Sequence, residues 1–334
     1  MQGESAAAMT ERIAVGDFYC PIPTALNRHA DTGDQYAFEW ARRVGLMADE
    51  DTYGVEAARL GYLAGYAHPS VSWEGLKIAI EWLDWLMVYD DAMFDKRANV
   101  TKLDRIRILQ FHRDVLDILR GAPVPDGAPP LYRGMGELRR SIVEFSPTWD
   151  MSRFVDNFAR YLQSNLWEAT NIWRGQPPAP STYTAMRRHT GCLFPTYELS
   201  AVLGRIRLTP EVGQHVALHQ LEIMANNYTC WLNDVYSFER ERDDGQVNNL
   251  VAVLQHEYRC GFQEAADRAV EMCRVEMKSY LELKDRLPDL GIEVDDTLRE
   301  YLTVLEAWMR ALYDWHHLTG RYLVSLAHPR ARQA

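Results

Sequence analysis

The chain has 334 residues, 47% of them hydrophobic and 25% charged, an ordinary globular composition with ample material for a large core. A formal charge of -11 excludes nucleic acid as the main partner, because backbone phosphates demand a concentrated basic surface, yet it leaves room for a small anion held in a cleft. Five scattered cysteines without CxxC or Cys/His spacing, an N-terminus lacking an apolar leader and the absence of any bilayer-length apolar run lead to the expectation of a cytoplasmic protein with reduced thiols and no membrane span.

Helical periodicity dominates in chain order: 34–46, 72–91, 102–121, 152–173, 216–241, 262–283 and 297–326 each repeat apolar residues at steps of three and four. Pro- and Gly-rich stretches at 121–130, 175–182 and 286–296 separate them, and strand signals are nearly absent. An all-α bundle of about ten or more helices follows. No linker or repeat marks a boundary, so a single domain over 1–334 is expected, with 1–17 and 326–334 as flexible ends.

Two helices, "IAIEWLDWLMVY" and "HQLEIMANNYTCWL", are apolar around too much of their circumference to have a wet side, which places them centrally. The first runs into "DDAMFD", where Asp90, Asp91 and Asp95 gather within about one and a half turns. Such a cluster is either a solvated helix end or a set of hard oxygen ligands for Mg²⁺, which keeps several waters and is completed by substrate phosphates. The second runs into "CWLNDVYSFERER". There Asn233, Ser237 and Glu241 follow at i, i+4 and i+8 and share one stripe, as ligands of one Mg²⁺ would, though an amphipathic helix leaving the core reads the same way.

Taken together, the two motifs resemble those of bacterial class I terpene synthases: Asp90, Asp91 and Asp95 match the aspartate-rich motif, and Asn233, Asp234, Ser237 and Glu241 match the NDxxSxxxE triad. The resemblance runs from "FYCPIPTALNRH" to the C-terminal Arg-Tyr pair and implies a class I terpenoid synthase helical bundle with a central active-site cavity. By that likeness Arg187, 46 residues before Asn233, is the diphosphate sensor, and Thr190 and Gly191 hold the linker and effector positions. Threonine departs from the aspartate that many relatives carry there. Arg240 matches a basic diphosphate ligand, and Arg321 with Tyr322 matches the terminal pair.

The implied activity is Mg²⁺-dependent ionisation of a linear isoprenyl diphosphate, farnesyl diphosphate first and geranylgeranyl diphosphate second, then cyclisation of the allylic cation and release of diphosphate. Three Mg²⁺ ions are implied, with Asp90, Asp95, Asn233, Ser237 and Glu241 as their ligands and Asp91 as a latch for Arg321. The carbocation also needs aromatic walls. Trp82, Trp85, Tyr89, Phe94, Phe194, Trp231, Trp308 and Trp315 lie near the motifs, with Phe94, Trp308 and Trp315 as the leading choices. A homodimer is an expectation by the same resemblance. The alternatives are a prenyl-elongating synthase, which would carry two aspartate-rich motifs, and a helical binding or scaffold protein. No DxDD acid motif is present, and "EVDD" at 293–296 reads as a helix N-cap.

Overall fold

The structure, a computed structural model, describes residues 12–47, 58–94 and 105–320, and it does not extend to the side chains of residues 93, 94 and 105. Its helices, numbered in chain order, are α1 (Ala30–Val44), α2 (Leu60–Ala67), α3 (Trp73–Phe94), α4 (Arg105–Arg120), α5 (Pro130–Phe145), α6 (Ser152–Arg174) and α7 (Pro180–Thr190). They continue as α8 (Leu193–Leu203), the single turn α9 (Pro210–Gly213), α10 (Val216–Asp243), α11 (Leu250–Tyr258), α12 (Phe262–Asp285) and α13 (Asp296–Leu318). No strand occurs among the described residues.

The punctuation read from the sequence closes and opens these helices. Gly45 and Gly175 end α1 and α6 in the left-handed conformation, with φ of 79° and 65°, where a side chain would be strained. Pro130 and Pro180 occupy first turns, where their missing N–H costs nothing. Asp295, in the acidic stretch at 293–296, caps α13 by accepting from Leu298 N at 2.7 Å.

One continuous buried cluster joins the helices. The broad apolar surfaces of α3 and α10 are explained by their neighbours, since α3 packs on α1, α2, α5 and α8, and α10 packs on α12, α13, α11 and α7. An interior carboxylate on either helix must therefore face a cavity or a partner.

The N-terminal expectation needs correction. The sequence places 1–17 in a flexible end, but within it Ile13 is buried and its N–H donates to Glu239 Oε1 at 2.7 Å, while Ala14 and Gln263 exchange hydrogen bonds of 2.8 and 3.0 Å. Phe18 then stacks on Tyr236 of α10 with ring centroids 5.6 Å apart. Residues 1–11 and 326–334 lie outside the described residues. No described helix is long and apolar enough to cross a membrane.

Candidate active site

A cavity of about 630 Å³ opens between α3, α6, α7, α8, α10 and α13, within the size range of pockets that enclose one small molecule. From α3 its wall takes Leu83, Leu86, Met87, Asp90 and Asp91, a stripe at steps of three and four. The aromatic residues Trp82, Trp85 and Tyr89 on the same helix are absent from that wall and fill the interior against α4, α5 and α6. Trp85 Nε1 donates to Leu131 O at 2.8 Å, Tyr89 stacks on Phe111 at 5.7 Å, and Trp82 meets Phe154 at 5.2 Å.

Of the eight aromatic residues expected near the cation, Trp308 and Trp315 line the cavity, whereas Phe194 and Trp231 do not. Tyr161 does, and the sequence offered no sign of it because it sits in an amphipathic helix far from both motifs. Phe94 is the last residue of α3, and its side chain, like Asp95, Arg321 and Tyr322, lies outside the described residues.

Across from α3, helix α10 presents Thr229, Cys230, Asn233, Asp234, Arg240 and Glu241. The aspartate motif and the triad helix thus meet at one end of one cavity, bridged by Arg240 Nη2, which donates to Asp91 Oδ1 at 3.3 Å. Arg321 had been the expected partner of Asp91. Arg321 lies outside the described residues, and Arg240 is a partner of Asp91 within them.

Arg187 reaches the same end from α7. Its Nε donates to Asp234 Oδ1 at 2.9 Å, its Nη2 to Asn233 Oδ1 at 3.1 Å and its Nη1 to Thr190 Oγ1 at 3.4 Å. Burial raises the Asp234 carboxyl, opposed by the Arg187 guanidinium, the Tyr183 hydroxyl at 2.6 Å and Leu250 N–H at 3.2 Å. Three groups around one carboxyl hold it in place against the Arg187 guanidinium.

The orientation of Asn233 is settled by its other neighbour. His316 Nδ1 faces the Leu312 carbonyl at 2.6 Å and so carries the hydrogen, which leaves Nε2 to accept from Asn233 Nδ2 at 3.3 Å. Burial lowers the His316 pKa to about 3, keeping the ring neutral. Asn233 Oδ1 therefore points toward Arg187.

Glu241 Oε2 accepts from Asn249 Nδ2 at 2.9 Å. Ser237, expected on the same ligand stripe, is buried and not part of the cavity wall, and its Oγ has no hydrogen bond of good geometry among the described residues. It still lies near enough to Glu241 to favour the charged carboxylate against the burial that raises its pKa.

No three carboxylate, imidazole or thiolate groups converge into a ready-made metal centre among the described residues. The donors at the mouth are hard oxygens, Asp90 on one wall and Asn233 and Glu241 on the other, with the unpartnered Ser237 hydroxyl behind. That set fits Mg²⁺ ions completed by water and by a ligand's own phosphate oxygens.

Between α7 and α8 the helix breaks at Gly191 and Cys192, the latter left-handed at φ 58°. A Cβ on Gly191 would lie 2.2 Å from Cys230 Sγ, so only glycine allows α7 to approach α10 this closely. Cys230 donates to Asn226 Oδ1 at 3.1 Å, and burial, outweighing the opposing Arg187 guanidinium, pushes its thiol pKa up to about 12.

Glu168 on α6 completes the polar end and was not anticipated. Burial lifts its carboxyl to about 8, with Asp90 adding to the rise and Arg187 and the Thr190 hydroxyl opposing it. A single glutamate in an amphipathic helix carries no spacing signal. Only the fold brings it beside Thr190, where many relatives would place an aspartate.

The family model described as terpene synthase family 2, C-terminal metal binding, matches residues 81–279. The chain is 32% identical over 302 residues to a (+)-T-muurolol synthase of Roseiflexus castenholzii, covering 90% of this chain and 92% of that protein. It is 28% identical over 305 residues to a 10-epi-cubebol synthase of Sorangium cellulosum, covering 91% and 96%. The fold is similar to the crystal structure of a linalool/nerolidol synthase from Streptomyces clavuligerus, with a TM-score of 0.77, 21% identity and coverage of 90% and 100%.

Proposed function

The chain belongs to the bacterial class I terpene synthases, and on that premise we propose that it ionises farnesyl diphosphate and cyclises the resulting allylic cation to a sesquiterpene. The printed substrate of the muurolol synthase relative, (2E,6E)-farnesyl diphosphate, supports that chain length. The observation that carries the reading is one cavity whose polar end gathers Asp90, Asp91, Asn233, Glu241 and Arg187 while its body is largely leucine and aromatic side chains.

Arg187 and Arg240 bind the diphosphate and stabilise the charge that builds on it as the C–O bond breaks. Arg321 and Tyr322, beyond the described residues, are assigned to the same group. Asp90, Asp95, Asn233, Ser237 and Glu241 would hold Mg²⁺, taken as three ions. When bound, those ions supply Lewis-acid neutralisation of the leaving group. Asp234 fixes the Arg187 guanidinium, and Asp91 and Arg240 tie α3 to α10 across the mouth. Gly191 allows the helix break that turns a backbone carbonyl toward the reacting carbon.

Leu83, Leu86, Leu193 and Leu312 exclude water from the cation. Trp308, Trp315 and Tyr161 offer it aromatic faces, each worth ~0.5–2 kcal/mol when desolvated. A single domain over 1–334, a cytosolic location and a homodimer accompany this reading.

Incubation of the purified chain with Mg²⁺ and, separately, C10, C15, C20 and C25 isoprenyl diphosphates, followed by gas chromatography with mass detection, tests it. A cyclic C15 product is expected. Cyclic product from C20 alone would replace the substrate, and none from any chain length would overturn the reading.

A further inference from the structure

Behind the cavity wall, opposite the polar end, a chain of buried hydrogen bonds runs through groups with no part in binding the diphosphate. Trp308 Nε1 on α13 donates to Ser200 Oγ on α8 at 3.0 Å, and Ser200 Oγ lies 2.9 Å from His68 Nε2 at the end of α2. His68 Nδ1 faces the Ala64 carbonyl at 3.0 Å. All three side chains are buried, Ser200 at 1% exposure and His68 at 4%.

The hydrogens in this chain can be placed. A carbonyl only accepts, so His68 Nδ1 carries the ring hydrogen. Burial lowers the His68 pKa to about 4, which keeps the ring neutral and leaves Nε2 an acceptor. Ser200 has two acceptors in reach, Nε2 and Thr196 O at 2.8 Å, and donation to Nε2 is the arrangement that satisfies the imidazole. Every hydrogen then points away from the indole, toward a carbonyl in the last turn of a helix, the negative end of its dipole. Aligned hydrogen bonds polarise one another, and donation of the indole N–H into such a chain makes the ring face richer in electrons. The His68 ring also stands edge-on to Trp308, at 89° with centroids 5.7 Å apart, which limits rotation of the indole. Asn27 fixes the other side of this corner, its Nδ2 donating to His68 O and Val71 O at 2.8 Å each.

We propose that His68 and Ser200 are specificity-determining positioning residues, holding and polarising the Trp308 indole so that one carbocation is stabilised over its competitors. The inference deepens the cyclase reading above and rests on it. Neither residue touches the diphosphate end, so their effect falls on the partition among products and not on ionisation.

The test measures diphosphate release and product ratios from farnesyl diphosphate for the full chain and for His68→Leu, His68→Gln, Ser200→Ala and Ser200→Thr. Gln offers Ser200 an acceptor near the position of Nε2, and Thr keeps the hydroxyl. His68→Leu and Ser200→Ala are expected to retain release within a few-fold and to change the ratio of the two leading products by about fivefold, equal to ~1 kcal/mol between competing barriers. His68→Gln and Ser200→Thr are expected to return most of the wild-type ratio. Wild-type ratios in both disrupting variants would overturn the proposal, as would a shift in His68→Gln as large as in His68→Leu, which is the result of packing alone. Failure of one disrupting variant to fold leaves the other to decide. A wild-type chain that releases no diphosphate overturns the cyclase reading itself, a result distinct from either of these.

Discussion

At the scale of single residues the polar end is a set of charges arranged so that each constrains the next. Arg187 was legible because its distance from Asn233 matches a known pattern, and Asn233 because the i, i+4, i+8 spacing places three donors on one stripe. Glu168 was not, since its neighbours Arg187, Thr190 and Asp90 come from other helices and are joined only by tertiary structure. Its pKa gives a prediction. The carboxyl titrates near its ordinary 4.5 when unfolded and near 8 when folded, so its contribution to stability is complete below pH 4.5 and lost as pH rises to 8. Glu168→Gln, which cannot ionise, is expected to gain stability relative to wild type across that window and to hold a constant margin above it. Denaturant unfolding without added metal at pH 5, 6.5, 8 and 9 measures the margin, and one independent of pH would refute the buried, protonated glutamate.

At the scale of elements, periodicity located seven of the helices and passed over α5, as long as α4, along with the short ones. The segments 60–67, 193–203 and 250–258 are apolar on most sides, so no face stands out to identify them. Periodicity also could not tell which apolar face of α3 meets the cavity. Trp82, Trp85 and Tyr89 turned out to be packing, and Leu83, Leu86 and Met87 the wall, because the aspartates fix the stripe and the bulky rings fill the other side. The start of α11 shows an element serving the site directly. Asn249 caps it by accepting from Val251 N at 2.8 Å, and its Nδ2 donates to Asp234 O at 2.7 Å and Glu241 Oε2 at 2.9 Å. Asn249→Ala is expected to destabilise the fold by ~1–3 kcal/mol and to raise the Mg²⁺ concentration needed for half-maximal activity. Urea unfolding and a metal titration check the two effects, and a variant altered in neither would show that the cap is dispensable.

At the scale of the molecule, the helices converge so that α3 and α10, far apart in sequence, bring their acidic ends to one mouth, while the segment at 12–18 is drawn across α10 by backbone hydrogen bonds to Glu239 and Gln263. That extended segment has no periodicity to betray it, which is why it passed for a loose end. A mouth built to assemble metal and diphosphate together responds to both as a unit. Mg²⁺ with inorganic diphosphate is expected to raise the melting temperature well beyond either alone, since a ligand at one hundred times its Kd adds ~2.7 kcal/mol. Equal shifts from Mg²⁺ alone would place the metal elsewhere, and no shift from the pair would favour a helical scaffold.

The most direct measurement follows diphosphate release from farnesyl diphosphate with and without Mg²⁺, in wild type and in Asn233→Ala. Release by the wild type only when Mg²⁺ is present, falling by about 10²-fold or more in the variant while its circular dichroism is unchanged, is the predicted result. Equal release by both proteins, or release independent of Mg²⁺, would contradict the assignment of this cavity as the site of ionisation.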